Sequence, residues 1–312
     1  MKTISIVTAC YNEEENVPLL IERVRKVLER FPQYNYEHLF IDNASEDATV
    51  EVLKSFARED RRIKIIVNSR NFGHIRSPMH ALLQARGDAV ISLVADLQDP
   101  PEMIADFLRQ WEAGSEIVLA IKRSSQERRL MFKLREAYYA LLQRLSEVPI
   151  YKNFTGFGLY DRKVMEALRQ MRDPYPFFRG MIAEAGFTVT QIPYDQPVRI
   201  HGITKNNFYT LYDMAVLGII NNSKVPLRLA IFLGLFIGVI SFIVGLGYLV
   251  VKLLYWDEMS LGIAPLLIGA SFAFSILLFF IGVLGEYIGM IYTQVLDRPL
   301  VFERERVNFD EE

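Results

Sequence analysis

Apolar and polar positions alternate in two different ways along the chain. Ser5–Cys10 (SIVTAC) reads as a short strand, a polar turn YNEEEN follows, and Val17, Leu20, Ile21, Val24 and Leu28 then recur at helical spacing. His38–Ser45 (HLFIDNAS) reads as a second strand ending in Asp42, with Val50, Leu53 and Phe56 marking a second helix. Ile63–Ser69 is a third strand, a helix is expected near Pro78 to Ala85, and Asp88–Ala95 is a fourth strand. This order predicts an α/β fold with a mostly parallel sheet covered by helices. Toward the C-terminus the pattern changes. From Leu229 to Val251, and again from Leu261 to Gly285, there is no charged residue. A helix over the first run rises about 34 Å at ~1.5 Å per residue, against about 30 Å of bilayer hydrocarbon. Two such runs in succession predict a transmembrane helical hairpin rather than a pair of buried core helices.

Charge orients the hairpin. Lys224 and Arg228 precede it, Arg298, Arg304 and Arg306 follow it, and the connecting KLLYWDEMS holds Lys252 as its one basic residue. Positive-inside bias then places both termini in the cytoplasm, at the plasma (inner) membrane. Tyr255 and Trp256 suit the opposite interface. Gly234 with Gly238, and Gly285 with Gly289, would let helices approach closely, either within the hairpin or between protomers of a homo-oligomer. The expected organisation is a catalytic domain over 1–204, an interfacial helix over 205–226, two spans over 227–293 and a cytoplasmic tail over 294–312.

Composition removes several classes. A formal net charge of −2 gives no basic field for nucleic acid. The single cysteine, Cys10, allows no internal disulfide, and the four histidines have no zinc-like spacing. The N-terminus has no signal-peptide pattern. There is no G-x-G-x-x-G after the first strand, no P-loop and no G-x-S-x-G elbow, which disfavours dinucleotide, P-loop and serine-hydrolase chemistry. In parallel sheets ligands bind beyond the carboxyl ends of the strands. The polar residues there are Tyr11, Asn12 and Glu13; Asp42; Asn71 with Gly73; and Asp96 with Gln98. Carboxylates and amides in that arrangement suit a base and ribose on one side. On the other they suit a diphosphate bridged by a hard cation, Mg²⁺ or Mn²⁺. In ADLQDPPE, Asp99 is expected to cap a helix with Pro100 at its first position, while Asp96 and Gln98 bind.

The runs SIVTACYNEEENV, FIDNASEDAT, RNFGH, ADLQDPPEMI and R-x-H-G-x-T-K, in that order, resemble family-2 glycosyltransferases of the GT-A fold. The likeness covers nearly the whole chain. It is greatest to the polyprenyl-phosphate group, which includes bactoprenol glucosyltransferases and dolichyl-phosphate mannose synthases. The resemblance implies Asp96 and Gln98 as metal ligands. It implies nucleotide-sugar contacts from Ala9, Tyr11, Glu13, Asp42, Asn71, Gly73, Ala95, Asp96 and Gln98. It also implies a loop, PVRIHGITKNN, that closes over the donor, with Arg199 and Lys205 neutralising the leaving diphosphate beside Asp96.

Two positions depart from the family pattern. Most relatives read D-A-D where this chain has Val94-Ala95-Asp96, and many read G-D-F-R-L where it has Gly156. The second loss removes a candidate base. A phosphate monoester needs none, because its second pKa is about 6 and it arrives ionised. Lys122 to Arg135 is strongly basic and opens a segment with a helical apolar stripe, Leu130 to Leu145, suited to an anionic membrane surface. Arg123 and Arg128 are the candidates there for a lipid phosphate. Together these features lead to an inverting, metal-dependent hexosyltransferase. Its expected reaction moves glucose from UDP-glucose to undecaprenyl phosphate. GDP-mannose is the alternative donor. A catalytically weakened membrane scaffold that binds nucleotide sugar is the alternative of another class, with Val94 and Gly156 in its favour.

Overall fold

A computed structural model of the chain describes residues 1–123, 143, 151–197, 225–255 and 263–309. It divides into two compact units, Met1–Asn221 with Asp297–Glu312, and Asn222–Leu296.

The first unit is an eight-stranded mixed sheet. Its strands are β1 (Lys2–Cys10), β2 (Tyr34–Asp42), β3 (Ile63–Asn68), β4 (Ala89–Val94), β5 (Ile117–Lys122), β6 (Phe154–Asp161), β7 (Val189–Tyr194) and β8 (Glu303–Val307). They lie in the order β7-β5-β6-β4-β1-β2-β3-β8. β4, β1, β2 and β3 run parallel, as the strand–helix alternation predicts. β6 is antiparallel to both of its neighbours.

Helices cover both faces, so the central strands read as continuous apolar runs. On one face Ile4, Ile6, Phe40 and Ile91 pack with α1 (Asn16–Leu28), α2 (Thr49–Glu59) and α4 (Ile104–Glu112). On the other, Val7, Leu39, Ile41 and Val90 pack with α3 (Gly73–Gln84), α5 (Arg162–Gln170) and α6 (Phe178–Glu184).

Three local expectations are corrected. α3 begins at Gly73 rather than near Pro78, which lies inside it. Asp99 is not a helix cap: the short 3-10 turn Pro101–Met103 has Pro100 at its N-cap and Pro101 as its first residue. The expected tail contains β8, hydrogen-bonded antiparallel to β3. Ser69 N–H donates to the Phe302 carbonyl at 2.8 Å, Lys54 pairs with Glu305 at 2.7 Å, and Val301 is buried. Asn308 Nδ2 donates to the carbonyls of Ala57 and Ile63 at 2.7 and 2.9 Å.

The second unit holds α7 (Val225–Leu254) and α8 (Ile263–Leu296). Within them Leu227–Gly247 and Phe272–Leu296 are long and apolar enough to cross a membrane. Phe232, Phe236, Phe242, Phe272 and Phe279 are all exposed, a surface that lipid would cover. A Cβ placed on Gly234, Gly238, Gly285 or Gly289 would meet nothing within 4 Å among the described residues. The interfacial helix expected over 205–226 lies outside them except at its last two positions.

Candidate active site

Parallel pairing lines up the strand ends. Ala9 lies opposite both Ile41 and Val94, and Cys10 opposite Asp42, so the turns after β1, β2 and β4 emerge at one edge. The first two turns are laced together. Asn12, at φ +57°, donates its N–H to Ser45 Oγ at 2.9 Å and accepts the Glu46 N–H at 2.8 Å. The Glu13 N–H donates to Thr49 Oγ1 at 2.8 Å, and its carboxylate accepts from Asn16 Nδ2 at 2.6 Å. Tyr11 and Glu13 are half-buried on this turn. Asp42 is fully buried and turned back on its own turn, accepting the Ser45 N–H at 3.0 Å and the Ser45 hydroxyl. Burial raises its pKa, with the Ser45 hydrogen bonds opposing. In this conformation its carboxylate holds its own turn rather than facing solvent.

The residue that organises the next edge escaped the sequence reading. Asn43, 7% exposed, accepts from Asn68 Nδ2 at 3.1 Å and from the Phe72 N–H at 2.9 Å. Its amide donates to Asn71 Oδ1 at 2.9 Å and to the Gly73 carbonyl at 3.2 Å. Asn71 Oδ1 also accepts the Gly73 N–H at 2.8 Å. The Asn71–Gly73 segment is thus tied to the tip of β2. The available signal was three asparagines at two neighbouring strand ends, Asn43 after β2 and Asn68 and Asn71 at and beyond the end of β3.

After β4 the chain turns through Leu97 at φ +58°. Ala95 and Asp96 are buried and Gln98 is half-buried, with the Gln98 N–H donating to Asp96 Oδ1 at 3.1 Å. Mg²⁺ and Mn²⁺ keep waters and substrate phosphates and need only one or two carboxylates from the protein. Asp96 with the Gln98 amide is a minimal set that fits such an ion. The described residues hold no group of three or more acidic, His or Cys side chains able to bind a metal alone.

Beside this turn lies a cavity of about 220 Å³. Ile75, Pro78 and Met79 of α3 form one wall, and Phe157, Phe177 and Phe178 another. Val94, Thr155 and Gly156 also line it, so both positions that depart from the family pattern face the same space. Gly156 has φ +107°, which L side chains rarely adopt, and Tyr160 donates its hydroxyl to the Gly156 carbonyl at 2.8 Å. His74 and Arg179 are the basic residues of the lining, and Asp99 is its acid. Asp99 is 4% exposed and accepts from the Tyr194 hydroxyl at 3.0 Å. Burial pushes its pKa up to about 6, against the opposing charge of Lys122.

Other candidates fall elsewhere. Arg123 follows β5, exposed, with its guanidinium 3.4 Å from Asp195. Asp161 caps α5, accepting the Lys163 N–H at 3.0 Å and Trp111 Nε1 at 2.7 Å. Arg128, Arg199 and Lys205 lie outside the described residues.

The comparisons place this fold among the glycosyltransferases. The profile of glycosyl transferase family 2 matches residues 5–169, and the chain belongs to that family. Similar full-length proteins include the SfII prophage-derived bactoprenol glucosyl transferase of Shigella flexneri, 36% identical over 95% of this chain and 96% of that protein. The bactoprenol glucosyl transferase of Shigella phage SfX is 34% identical over 97% of this chain and 99% of its own. The Bacillus subtilis glycosyltransferase YkcC, uncharacterised, is 34% identical over 95% and 91%. Among solved structures, glucosyl-3-phosphoglycerate synthase from Mycobacterium tuberculosis aligns with TM-score 0.48 and 14% identity, over 70% of this chain and 79% of that one.

Proposed function

We propose that the protein transfers glucose from UDP-glucose to a polyprenyl phosphate, undecaprenyl phosphate, with inversion at the anomeric carbon. The observation that carries this reading is the near-full-length similarity to bactoprenol glucosyl transferases, spanning the sheet and both apolar helices. GDP-mannose would be read by the same strand ends and is the alternative donor.

The chemistry follows from the site. A phosphate oxygen of the acceptor attacks the anomeric carbon, the bond from that carbon to the diphosphate breaks, and UDP leaves with the electron pair. The acceptor is largely dianionic at neutral pH, so no proton need be removed and the glycine at position 156 is no obstacle. Catalysis then rests on alignment and on stabilising the leaving diphosphate. Asp96 and Gln98 would hold a divalent cation, which supplies positive charge to the diphosphate. The turns carrying Tyr11, Glu13, Asp42 and Asn71 would frame the uridine. Arg199 and Lys205 are proposed to neutralise the leaving group, and Arg123 with Arg128 to meet the lipid phosphate. The two apolar helices are proposed to span the plasma membrane with both termini cytoplasmic, which brings the strand-edge site to the cytoplasmic face. Gly234, Gly238, Gly285 and Gly289 remain open for contact between protomers.

The test is transfer from radiolabelled nucleotide sugars to undecaprenyl phosphate in detergent, with and without EDTA, for wild type and Asp96→Ala. A glucosyl-lipid product from UDP-glucose, abolished by EDTA and by the substitution, is expected. Intact nucleotide-sugar binding with no product from any donor would instead support the scaffold reading that Val94 and Gly156 raise.

A further inference from the structure

The cavity beside Asp96 raises a problem of hydrogen-bond supply. On the functional reading above, the diphosphate sits at Asp96 and Gln98. The transferred hexose is bonded directly to it and must occupy the adjoining space. That space is walled by Ile75, Met79, Phe157 and Phe178, with the exposed side chain of Val94 at the strand tip. Apolar and aromatic walls accept the C–H faces of a sugar. A hydroxyl enclosed there without a partner costs about 1–3 kcal/mol. Val94 and Gly156 offer no polar side-chain atom, so hydroxyl partners must come from His74, Ser92, Asp99, Thr155 or Arg179.

The acid in this lining is Asp99, and its placement is not explained by helix capping. It is 4% exposed, yet the Tyr194 hydroxyl fixes its Oδ1 at 3.0 Å. The Tyr194 ring is itself held edge-on to Phe157, 5.6 Å between centroids. Thr155, also in the lining, is hydrogen-bonded to the same tyrosine hydroxyl. A buried carboxylate is expensive to keep unless it is hydrogen-bonded or paired, and the Tyr194 hydroxyl and the nearby charge of Lys122 offset part of that cost. Here it is oriented by a tyrosine from β7, the far edge of the sheet, and borders the space beside the proposed leaving group.

We propose that Asp99 accepts a hydrogen bond from one hydroxyl of the transferred hexose, with Tyr194 as the residue that positions it. This makes Asp99 a sugar-selecting residue of the donor site. It rests on the nucleotide-sugar reading of that site but not on the identity of the acceptor.

The experiment measures equilibrium binding of UDP, UDP-glucose and UDP-glucose analogues each lacking one sugar hydroxyl, using the full chain in detergent. Wild type, Asp99→Asn and Tyr194→Phe are compared. Asp99→Asn should bind UDP as wild type does and UDP-glucose about tenfold more weakly, the loss of one charge-assisted hydrogen bond. One analogue should bind wild type about tenfold more weakly than UDP-glucose and show no further loss in the variant. Tyr194→Phe should lose part of the UDP-glucose affinity and none of the UDP affinity. Equal weakening of UDP and UDP-glucose, equal loss across all analogues, or no loss in Asp99→Asn would each overturn the assignment. Where a variant fails to fold, the analogue series on wild type still tests the assignment: no single analogue binding more weakly than UDP-glucose would overturn it. Selective binding without transfer to any lipid would sink the proposed reaction while leaving Asp99 in its role. Failure of wild type to bind any nucleotide sugar would overturn both.

Discussion

Asn43→Ala is the substitution whose consequences can be worked most fully from the structure. Its side chain makes four hydrogen bonds that join the tip of β2 to β3 and to Asn71–Gly73. Removing it leaves the Phe72 N–H, in a residue 7% exposed, without its acceptor. An unpaired buried donor costs about 1–3 kcal/mol. Asn68 Nδ2 keeps Ser77 Oγ at 2.9 Å, so the loss there is one ordinary bond, about 0.5–1.5 kcal/mol. Asn71 and the Gly73 carbonyl can turn to water and add little. The sum is about 2–4 kcal/mol, and it falls on one loop rather than on the whole sheet. Hydrogen exchange of the Phe72 and Gly73 amides in the full chain should therefore accelerate about 30- to 1,000-fold. Affinity for the nucleotide sugar should fall with it, because the loop carries two of the proposed donor contacts. Asn43→Asp keeps an acceptor for Phe72 and should protect that amide better than Ala. Unchanged exchange at Phe72 and Gly73, with global stability reduced, would show that Asn43 is only a core residue.

Acidification should weaken the sheet through His38, which is buried against Phe40, bonded to Thr8, and has its pKa pushed down to about 3 by burial. The folded value lies below the unfolded one, so the unfolded chain binds the extra proton. Stability is therefore lost as pH falls below about 6.5 and continues to fall until the folded value is reached, roughly 2 kcal/mol between pH 7 and pH 5. His38→Gln should flatten that part of the urea-midpoint profile, and parallel profiles for the two proteins would refute the assignment. Gly158→Ala puts a Cβ 2.4 Å from the Val118 carbonyl oxygen, so β5 and β6 must separate. A loss of about 1–3 kcal/mol, with weaker binding at the neighbouring cavity, is expected by denaturant titration and sugar-nucleotide binding. Deleting residues 301–312 removes β8 and bares the edge of β3. The expected result is aggregation on size exclusion in detergent, and a monodisperse deletion with normal UDP affinity would contradict it.

The sheet was legible because its central strands are apolar on both faces. SIVTAC, HLFID and AVISLV can be read without knowing their neighbours, and the two charge-free runs are equally plain. The position of Asp96 and Gln98 was legible for a related reason: polar residues that end an apolar run in a parallel sheet emerge at its carboxyl edge. What the sequence hid were pairings between distant segments. Asn43 looks like any turn amide until Asn68 and Phe72 are brought beside it. Asp99 looks like a cap because Pro100 and Pro101 follow it. Its partner, Tyr194, lies on β7, and no local pattern links the two.

The same reasoning changes the meaning of the C-terminal segment. Four consecutive charged residues of alternating sign open ERERV, which by itself reads as a solvated tail. Its strand character depends on an unpaired edge of β3, a property of the folded sheet that no local sequence contains. β7 and β8 are the two outer strands of the sheet, and the apolar unit lies between them in sequence. The chain thus leaves the sheet at one edge, passes through both apolar helices, and completes the sheet at the other. The apolar helices are an insertion into the catalytic unit rather than an appendage to it. Beyond the second helix, Arg76 of α3 donates to the Pro299 carbonyl at 2.7 Å and His80 pairs with Glu303 at 2.5 Å, so the returning segment grips the helix that forms one wall of the cavity. Changes made at Pro299 or Glu303 should therefore reach α3 and the cavity wall it forms as well as the edge of the sheet.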